Sequence, residues 1–319
     1  MAKLPITLAI DKYDYVRPLI DGTVQPEGID LRVIEVPAGE RHERMYRYEE
    51  YDACEFALGG HIVAVSRGLL LGRAIPAFPR RMFPHKFWAV RADRGIDSPR
   101  DLRGKKVGIA SYENTLQIPV RSALQHQYGV GKDAIHWKAR HVGMIGIDRI
   151  PGGNLEVIGA RPDHLELLLA GELDAMVIPS VIGPVIKGDP RVRLLFIDPK
   201  SEERRYYEST GHFPIMHDVL LKQSLLERDP WVGQSLLDAF KRARRWHLDW
   251  MEQPPNLSFA WSRELLLEER SIFGPNQWAD GFEANRQQLE LMCRYAQEQG
   301  MTDSLVDPRD LFVPSAMGS

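Results

Sequence analysis

Strand-like and helix-like segments alternate through the first two thirds of the chain. Leu4–Ile10 and Ile29–Val36 have the pattern of strands, and Glu40–Glu49 has that of a charged surface helix. Asp52–Leu58 reads as a buried strand, and the apolar run Ile62–Leu71 reads as the helix that follows it. Strands that alternate with helices are typical of α/β proteins with a largely parallel sheet. The predicted fold class is therefore α/β.

Polar, turn-rich stretches near residues 92–100 and 208–214 divide this alternating region. Such stretches are typical of crossings between domains. The strand-like run Phe213–Leu221 follows the second crossing and can return the chain to the first domain. The sequence thus predicts two α/β lobes with a ligand cleft between them. The expected lobes are residues 1–96 with 211–319, which also carry the C-terminal helices, and residues 97–210.

Composition excludes several classes of protein. The 319 residues are 44% hydrophobic and 27% charged, which is typical of a globular chain and not of a disordered one. The net charge of −3 argues against a generic nucleic-acid binder. No apolar run approaches the roughly 18 residues of a membrane span, and the first ten residues lack a signal-peptide pattern. We expect a cytoplasmic protein with no membrane partner, in which Cys54 and Cys293 are free thiols.

A basic stretch at a predicted strand end, residues 80–86, contains the first candidate site residues. Arg80 and Arg81 have planar guanidinium groups that match carboxylates in a bidentate way. His85 can act as an acid or a base near neutral pH. A solvated basic loop is the alternative interpretation. Arg121, on a predicted helix, can reach either the cleft or the surface.

The turn Ser111–Thr115 lies between a predicted strand and a predicted helix. Asn114 or Thr115 can cap this helix, and its free amides can bind a carboxylate or a phosphate. Tyr112 belongs to the same turn. The alternative is a capping loop that binds no ligand.

Two histidines and a glutamate complete the candidates. His212 and His217 are five residues apart, and in an extended run this odd spacing places them on opposite faces. We therefore expect no metal shared by these two. Glu55 lies inside an apolar strand, where a carboxylate must be paired or hydrogen-bonded. Either histidine can instead have a purely structural role.

Several catalytic signatures are absent from the chain. The sequence contains no G-x-S-x-G, no Walker A motif, no H-E-x-x-H and no C-x-x-C. Serine-hydrolase, nucleotide-driven and metallohydrolase interpretations are accordingly disfavoured.

Short stretches along the chain resemble known families. Asp101–Gly108 and Gly171–Ala175 resemble segments of the type 2 periplasmic-binding-protein fold, which has two lobes and a ligand cleft between them. Arg81–His85, Phe213–His217 and Gly281–Arg286 are more specific, and they resemble the 4,5-dihydroxyphthalate decarboxylases.

This resemblance implies a non-oxidative decarboxylase of a hydroxylated, phthalate-like aromatic acid that needs no organic cofactor. It would convert 4,5-dihydroxyphthalate to 3,4-dihydroxybenzoate and CO2. His85, preferred over His217, would deliver the ring proton, and Glu55 would accept a hydrogen bond from a phenolic hydroxyl. The residues predicted to bind the substrate are Arg80, Arg81, Tyr112, Asn114, Thr115, Arg121 and His212.

A second function is compatible with the same fold: a solute-binding protein that delivers an aromatic or dicarboxylic acid to a transporter. In both cases the expected partner is a small aromatic carboxylic acid, and assembly into a homo-oligomer stays open. No metal is predicted, although a metal held by His85, His217 and Glu55 stays an alternative.

Overall fold

The computed structural model describes residues 2–69, 71–179, 188–253, 258–276 and 278–318. Within these residues the strands form two sheets. The first sheet contains β1 (Leu4–Ile10), β2 (Ile29–Glu35), β3 (Ala53–Ala57), β4 (Gly72–Arg81) and β11 (Ile215–Lys222). The second contains β5 (Trp88–Arg91), β6 (Lys106–Ile109), β7 (His136–Ala139), β8 (Asn154–Val157), β9 (Ala175–Val177) and β10 (Val192–Leu194).

Helices flank both sheets. Those of the described residues are α1 (Arg17–Ile20), α2 (Ala38–Tyr48), α3 (Leu58–Ser66), α4 (Gln117–Tyr128), α5 (His164–Ala170), α6 (Pro199–Thr210), α7 (Gln223–Arg228), α8 (Val232–Met251), α9 (Ser262–Phe273) and α10 (Phe282–Glu298). The mixture of helices and sheets confirms the predicted α/β class.

The first sheet has the order β2-β1-β3-β11-β4. β1, β2 and β3 are mutually parallel, whereas β11 runs antiparallel to its neighbours β3 and β4. The carboxyl ends of β1, β3 and β4 therefore lie at one edge, together with the amino end of β11. In open α/β sheets the ligand crevice forms at the carboxyl ends of the strands.

The second sheet has the order β10-β5-β9-β6-β7-β8. β9, β6, β7 and β8 are parallel, and β5 is antiparallel to β9. Trp88–Arg91 therefore belongs to this sheet, whereas the sequence boundary near residue 97 assigned it to the first lobe. That boundary is wrong because Trp88, Ala89 and Val90 pair with β9. The returning strand β11, by contrast, lies where the sequence predicted it.

Apolar clusters pack on both sheets, and one of them is continuous between the sheets, because it also contains Phe78 and Ile215 of the first sheet. Leu8 and Ile75 of the first sheet pack in one buried cluster with Leu236 of α8. Val107 and Trp137 of the second sheet pack in another with Leu124 of α4. This apolar packing fixes the positions of the sheet edges at which the strands end and the cleft forms.

Three further sequence predictions have outcomes in the fold. Cys54 and Cys293 are free, as expected, and both are buried. In the part of the chain that the structure describes, no helix has both the length and the apolar character to cross a membrane. The predicted surface helix is α2, but Arg41 and His42 on it are buried, so one of its faces belongs to the protein interior.

Candidate active site

A cavity of about 270 Å³ is lined by residues from both sheets and from the loops at their strand ends. From the first sheet and its helices come Ala38, Gly39, His42, Ala57, Gly60, Arg80, Met82, Met216 and His217. From the loops that follow β6, β7 and β9 come Ser111, Glu113, Asn114, Thr115, Leu116, His141, Gly143, Met144 and Pro179. The cavity thus occupies the cleft that the sequence predicted.

Three neighbouring strands of the first sheet bring polar residues to this edge. The middle one of these three strands is β11, on which His217 pairs with Ala57 of β3 on one side and with Arg80 of β4 on the other. Glu55 precedes Ala57 by two residues and therefore lies on the same face of β3. The β11–β4 register is irregular on both sides of His217. Such irregularities re-aim side chains and are frequent beside active sites.

Glu55 is fully buried beneath the cavity and is well paired. Its carboxylate forms a 2.7 Å ion pair with Arg41 and accepts hydrogen bonds from the Tyr13 hydroxyl at 2.6 Å and the Asp11 amide at 3.0 Å. It also bonds His217 Nδ1. Burial alone would raise the pKa of Glu55, but His217, Arg41 and Tyr13 outweigh it and lower that pKa to about 2. Glu55 is therefore an anion at neutral pH.

His217 connects this buried anion to the cavity. Its Nδ1 is bonded to Glu55, and its Nε2 has no hydrogen-bond partner among the described residues. Burial lowers the pKa of His217, and the Glu55 carboxylate opposes that shift. The ring of His42 packs edge-on against it, with 5.0 Å between ring centroids. Burial, with His217 and Arg41, holds the pKa of His42 well below its usual value, so His42 is neutral.

Arg80 supplies a positive charge to the cavity wall. It forms no hydrogen bond or ion pair with any residue that the structure describes. It lies on β4 directly across from His217 of β11. An unpaired guanidinium beside a histidine is available for a carboxylate ligand.

The turn before α4 closes the opposite wall. Asn114 Oδ1 accepts the Leu116 amide at 3.1 Å, which stabilises the turn. Thr115 Oγ1 accepts the Gly59 amide at 2.9 Å, so it caps the first turn of α3 across the cleft and not its own helix. The Thr115 amide donates to no described group and lies at the cavity.

Other predicted site residues have structural surroundings. Arg81 is buried, donates to Phe213 O at 3.3 Å and to Gln288 Oε1 at 3.2 Å, and also bonds Asn285. It lines a separate cavity with Phe83 and Phe213, and burial lowers its pKa to about 9. Its expected contact with substrate is thus not supported by its position, because it lies outside the cleft lining and both of its terminal nitrogens already donate to protein acceptors.

Arg121 and Tyr112 form a buried brace outside the cavity lining. The Arg121 guanidinium lies 3.7 Å from the centre of the Tyr112 ring and donates to Gln299 Oε1 at 2.7 Å. The Tyr112 hydroxyl donates to Gln299 O at 2.8 Å. Both residues therefore join the start of α4 to the end of α10, and neither is placed to bind a ligand in the cleft.

His85 and His212 also lie away from the cavity lining. His85 packs between Phe196 and Tyr206, and His212 Nδ1 bonds the Tyr206 hydroxyl at 2.8 Å. The preference for His85 as proton donor is therefore not supported, and His85 does not join His217 and Glu55 in a metal site. Among the described residues, no group of three or more His, Cys, Asp or Glu side chains is arranged to hold a metal ion.

Sequence reasoning missed Arg41, His42 and His141. Ala38, Arg41, His42 and Met45 have the spacing of one helical face, which was the available signal for α2. His141 follows the carboxyl end of β7, a position at which polar side chains gather in parallel sheets. Arg41 and His42 are polar, so the pattern of α2 indicated an exposed helix. The sequence does not show the partners that allow these two side chains to be buried.

Comparison with known proteins agrees with this architecture. Residues 25–141 match the family model described as NMT1/THI5 like. The structure aligns with the crystal structure of the periplasmic aliphatic sulphonate-binding protein of Escherichia coli with a TM-score of 0.58 at 16% identity, covering 98% of this chain and 92% of that one. The protein therefore has the two-lobed periplasmic-binding-protein-like fold, as the sequence predicted.

Curated relatives define the family. The chain is 32% identical over 327 aligned positions to a 4,5-dihydroxyphthalate decarboxylase of Comamonas testosteroni, covering 100% of this chain and 99% of the relative. It is 31% identical over 218 positions to a 4,5-dihydroxyphthalate decarboxylase of Pseudomonas putida, covering 66% of this chain and 84% of the relative. The chain belongs to the 4,5-dihydroxyphthalate decarboxylase family.

Proposed function

We propose that this protein is a carbon–carbon lyase that removes one carboxylate from 4,5-dihydroxyphthalate without oxidation, releasing 3,4-dihydroxybenzoate and CO2. The observation that carries the proposal is the pair formed by His217 and the buried Glu55, on the wall of a cavity that also holds the unpaired Arg80. A proton donor beside a carboxylate-binding cation is what this reaction requires. Membership in the decarboxylase family supports the same activity.

The substrate is a dianion, so its binding needs positive charge and amide donors. Arg80 holds one carboxylate, and the free amide of Thr115 in the turn before α4 is available to the other. Arg81 does not take part, because it does not line this cavity and protein acceptors already occupy both of its terminal nitrogens. The bidentate geometry of arginine fixes the plane of the bound carboxylate.

His217 delivers the proton to the ring carbon that bears the leaving carboxylate. The C–H bond forms there, the C–C bond to the carboxylate breaks, and its electron pair returns to the ring as CO2 departs. Burial lowers the pKa of His217, whereas a bound dianion raises it again. The ring is therefore charged mainly in the substrate complex. Glu55 keeps the ring oriented and stabilises its charge.

Other residues of the cavity wall can accept a hydrogen bond from the phenolic hydroxyl and can favour the loss of the carboxylate. Glu55 is fully enclosed by its protein partners, so the phenolic hydroxyl needs a different acceptor, and the neutral His42 lines the cavity. Met82, Met144 and Met216 form an apolar part of the wall. An apolar surrounding destabilises the leaving carboxylate relative to neutral CO2.

The decisive experiment is incubation of the purified protein with 4,5-dihydroxyphthalate, measuring CO2 and 3,4-dihydroxybenzoate in equal amounts. His217→Gln should lower turnover by about 10²-fold or more, the contribution typical of a positioned acid. His136→Gln is the matched control, because His136 is exposed at the start of β7 and does not line the cavity. Tight binding of the acid without release of CO2 would instead support a solute-binding protein. The cytoplasmic location and the oligomeric state stay predictions, which cell fractionation and light scattering would check.

A further inference from the structure

The loop after β7 carries a histidine with a defined proton position. His141 lines the cavity, and its Nδ1 accepts a hydrogen bond from the Gly143 amide at 3.1 Å. A ring nitrogen that accepts a hydrogen bond carries no proton, so the proton of the neutral ring lies on Nε2. His141 is partly exposed, and its partial burial, together with Arg140, lowers its pKa, which favours that neutral form.

The other ring nitrogen is free to act as a donor. His141 Nε2 has no hydrogen-bond partner in the described part of the chain. The ring stands at the end of a parallel strand of the second sheet, whereas His217 and Arg80 come from the first sheet. The cavity therefore has a neutral N–H donor on the wall opposite its cation.

The backbone of this loop is held by Glu113. The Glu113 carboxylate accepts hydrogen bonds from the Ile145 amide at 2.9 and 3.2 Å and from the Met144 amide. A Cβ atom on Gly143, whose φ is +84°, would lie 2.3 Å from Glu113 Cδ, so residue 143 must lack a side chain. On the far side, Arg67 donates to Ile145 O at 2.7 Å. The loop backbone is thus held by the Glu113 carboxylate on its cavity side and by the Arg67 guanidinium at Ile145.

We propose that His141 is a substrate-binding residue that donates from Nε2 to an oxygen of the aromatic acid, and that Glu113 is the positioning residue that holds its loop. This inference rests on the proposed function, because it assigns an oxygen-rich aromatic acid to the cavity. A neutral donor binds a carboxylate or a phenolic oxygen without adding to the charge of the site. Because it binds the substrate and does not transfer the ring proton, its loss should affect affinity more than turnover.

The test compares His141→Phe, His141→Gln and Glu113→Gln with the wild-type enzyme. Three quantities are measured: kcat and KM with 4,5-dihydroxyphthalate, and the Kd of phthalate by calorimetry. In His141→Phe, KM and Kd should rise about tenfold or more, the usual effect of losing a hydrogen bond to a charged group, with kcat changed by less than about threefold. His141→Gln, whose amide can replace the Nε2–H donor, should restore most of the affinity. Glu113→Gln should raise KM in the same direction while the unfolding transition stays cooperative.

His136→Phe serves as the control, because this exposed histidine begins the same strand that His141 follows. An unchanged KM and Kd in His141→Phe overturns the inference while leaving the proposed decarboxylase intact. A fall in kcat with no change in Kd overturns it as well. If the wild-type protein releases no CO2, the proposed function fails, and the Kd of phthalate in the same variants still decides the role of His141.

Discussion

Arg80 and Arg81 are neighbours on β4, but their guanidinium groups have different surroundings. Arg80 lines the cleft and has no partner among the described residues, whereas Arg81 is buried and donates to Phe213, Gln288 and Asn285. Alternation along a strand directs successive side chains to opposite faces, so only one of two adjacent arginines can reach the cleft. The sequence predicted the pair at the end of a strand, where β4 does end, but it could not determine which face belongs to the cavity.

This difference predicts opposite effects of the same substitution. Arg80→Lys keeps the charge and loses the bidentate fork, so KM should rise about tenfold with no change in stability. Arg81→Lys should leave KM nearly unchanged and lower the free energy of unfolding by about 1–3 kcal/mol, because buried acceptors lose their donors. Urea denaturation and steady-state kinetics on both variants check this. A raised KM in Arg81→Lys with normal stability would reverse the assignment.

Glu55 serves both the chemistry and the stability of the site. Glu55→Gln keeps the shape but removes the charge that Arg41 and His217 share. Because both partners are buried, we expect a loss of about 3–5 kcal/mol in the free energy of unfolding. Turnover should fall by about 10²-fold or more, since the ring of His217 loses the group that orients it.

Glu50→Gln is the control for this variant. Glu50 forms an exposed ion pair with Arg44, and its loss should change neither stability nor turnover measurably. Equal stability of the Glu55 and Glu50 variants in urea would contradict a buried charge network under the cavity.

At the scale of elements, α2 and α3 show why the site was only partly predictable. The sequence predicted α2, but the burial of Arg41 on this helix depends on its ion pair with Glu55. That contact forms only when the chain folds. Likewise, the first turn of α3 has no side-chain cap of its own and uses Thr115 from the other side of the cleft. Local patterns predict where elements lie, and long-range contacts such as these decide which polar residues meet.

The start of α3 offers a matched pair of substitutions. A Cβ atom on Gly59 would lie 2.6 Å from the Glu113 carbonyl oxygen, which is backbone and cannot move freely. A Cβ atom on Gly60 would instead meet the flexible end of Met144 at 3.2 Å. Gly59→Ala should therefore destabilise the protein by about 1–3 kcal/mol and raise KM, as overpacking separates α3 from the turn before α4.

Gly60→Ala should be close to neutral in stability, because the gain in helix propensity of about 0.5–1 kcal/mol offsets the displacement of Met144. Thermal unfolding of both variants measures the difference. Equal melting temperatures would show that the contact between Gly59 and Glu113 is not tight in solution.

At the scale of the whole molecule, two chain crossings connect the sheets and bury histidines between them. The observed first crossing is the segment between β4 and β5, which contains His85, and the second is the segment between α6 and β11, which contains His212; Tyr206 contacts both histidines. Burial lowers the pKa of His85 to about 4 and that of His212 to about 3. The sequence drew attention to His85 because it is close to Arg80 and Arg81 along the chain. Proximity along the chain did not bring it to the cleft, because the chain leaves the first sheet at Arg81.

The buried state of these histidines predicts how stability depends on pH. In the unfolded chain both titrate near the usual value of about 6.5, whereas in the folded protein they stay neutral down to about pH 4. Between these values the unfolded state binds more protons, so stability is full above about pH 6.5 and is lost as pH falls toward 4, by a few kcal/mol in all. Glu55, with its pKa near 2, adds a further loss only below about pH 4.5.

His85→Gln separates the structural role of this residue from a catalytic one. Removing one titrating ring should reduce the slope of unfolding free energy against pH by up to one proton between about pH 6.5 and 4. Turnover at neutral pH should stay within about threefold of the wild-type value, since His85 does not line the cavity that holds His217. Urea unfolding at several pH values, together with the CO2 assay, measures both effects. A hundredfold loss of turnover with an unchanged pH slope would return the role of proton donor to His85 and require the lobes to rearrange around the first crossing.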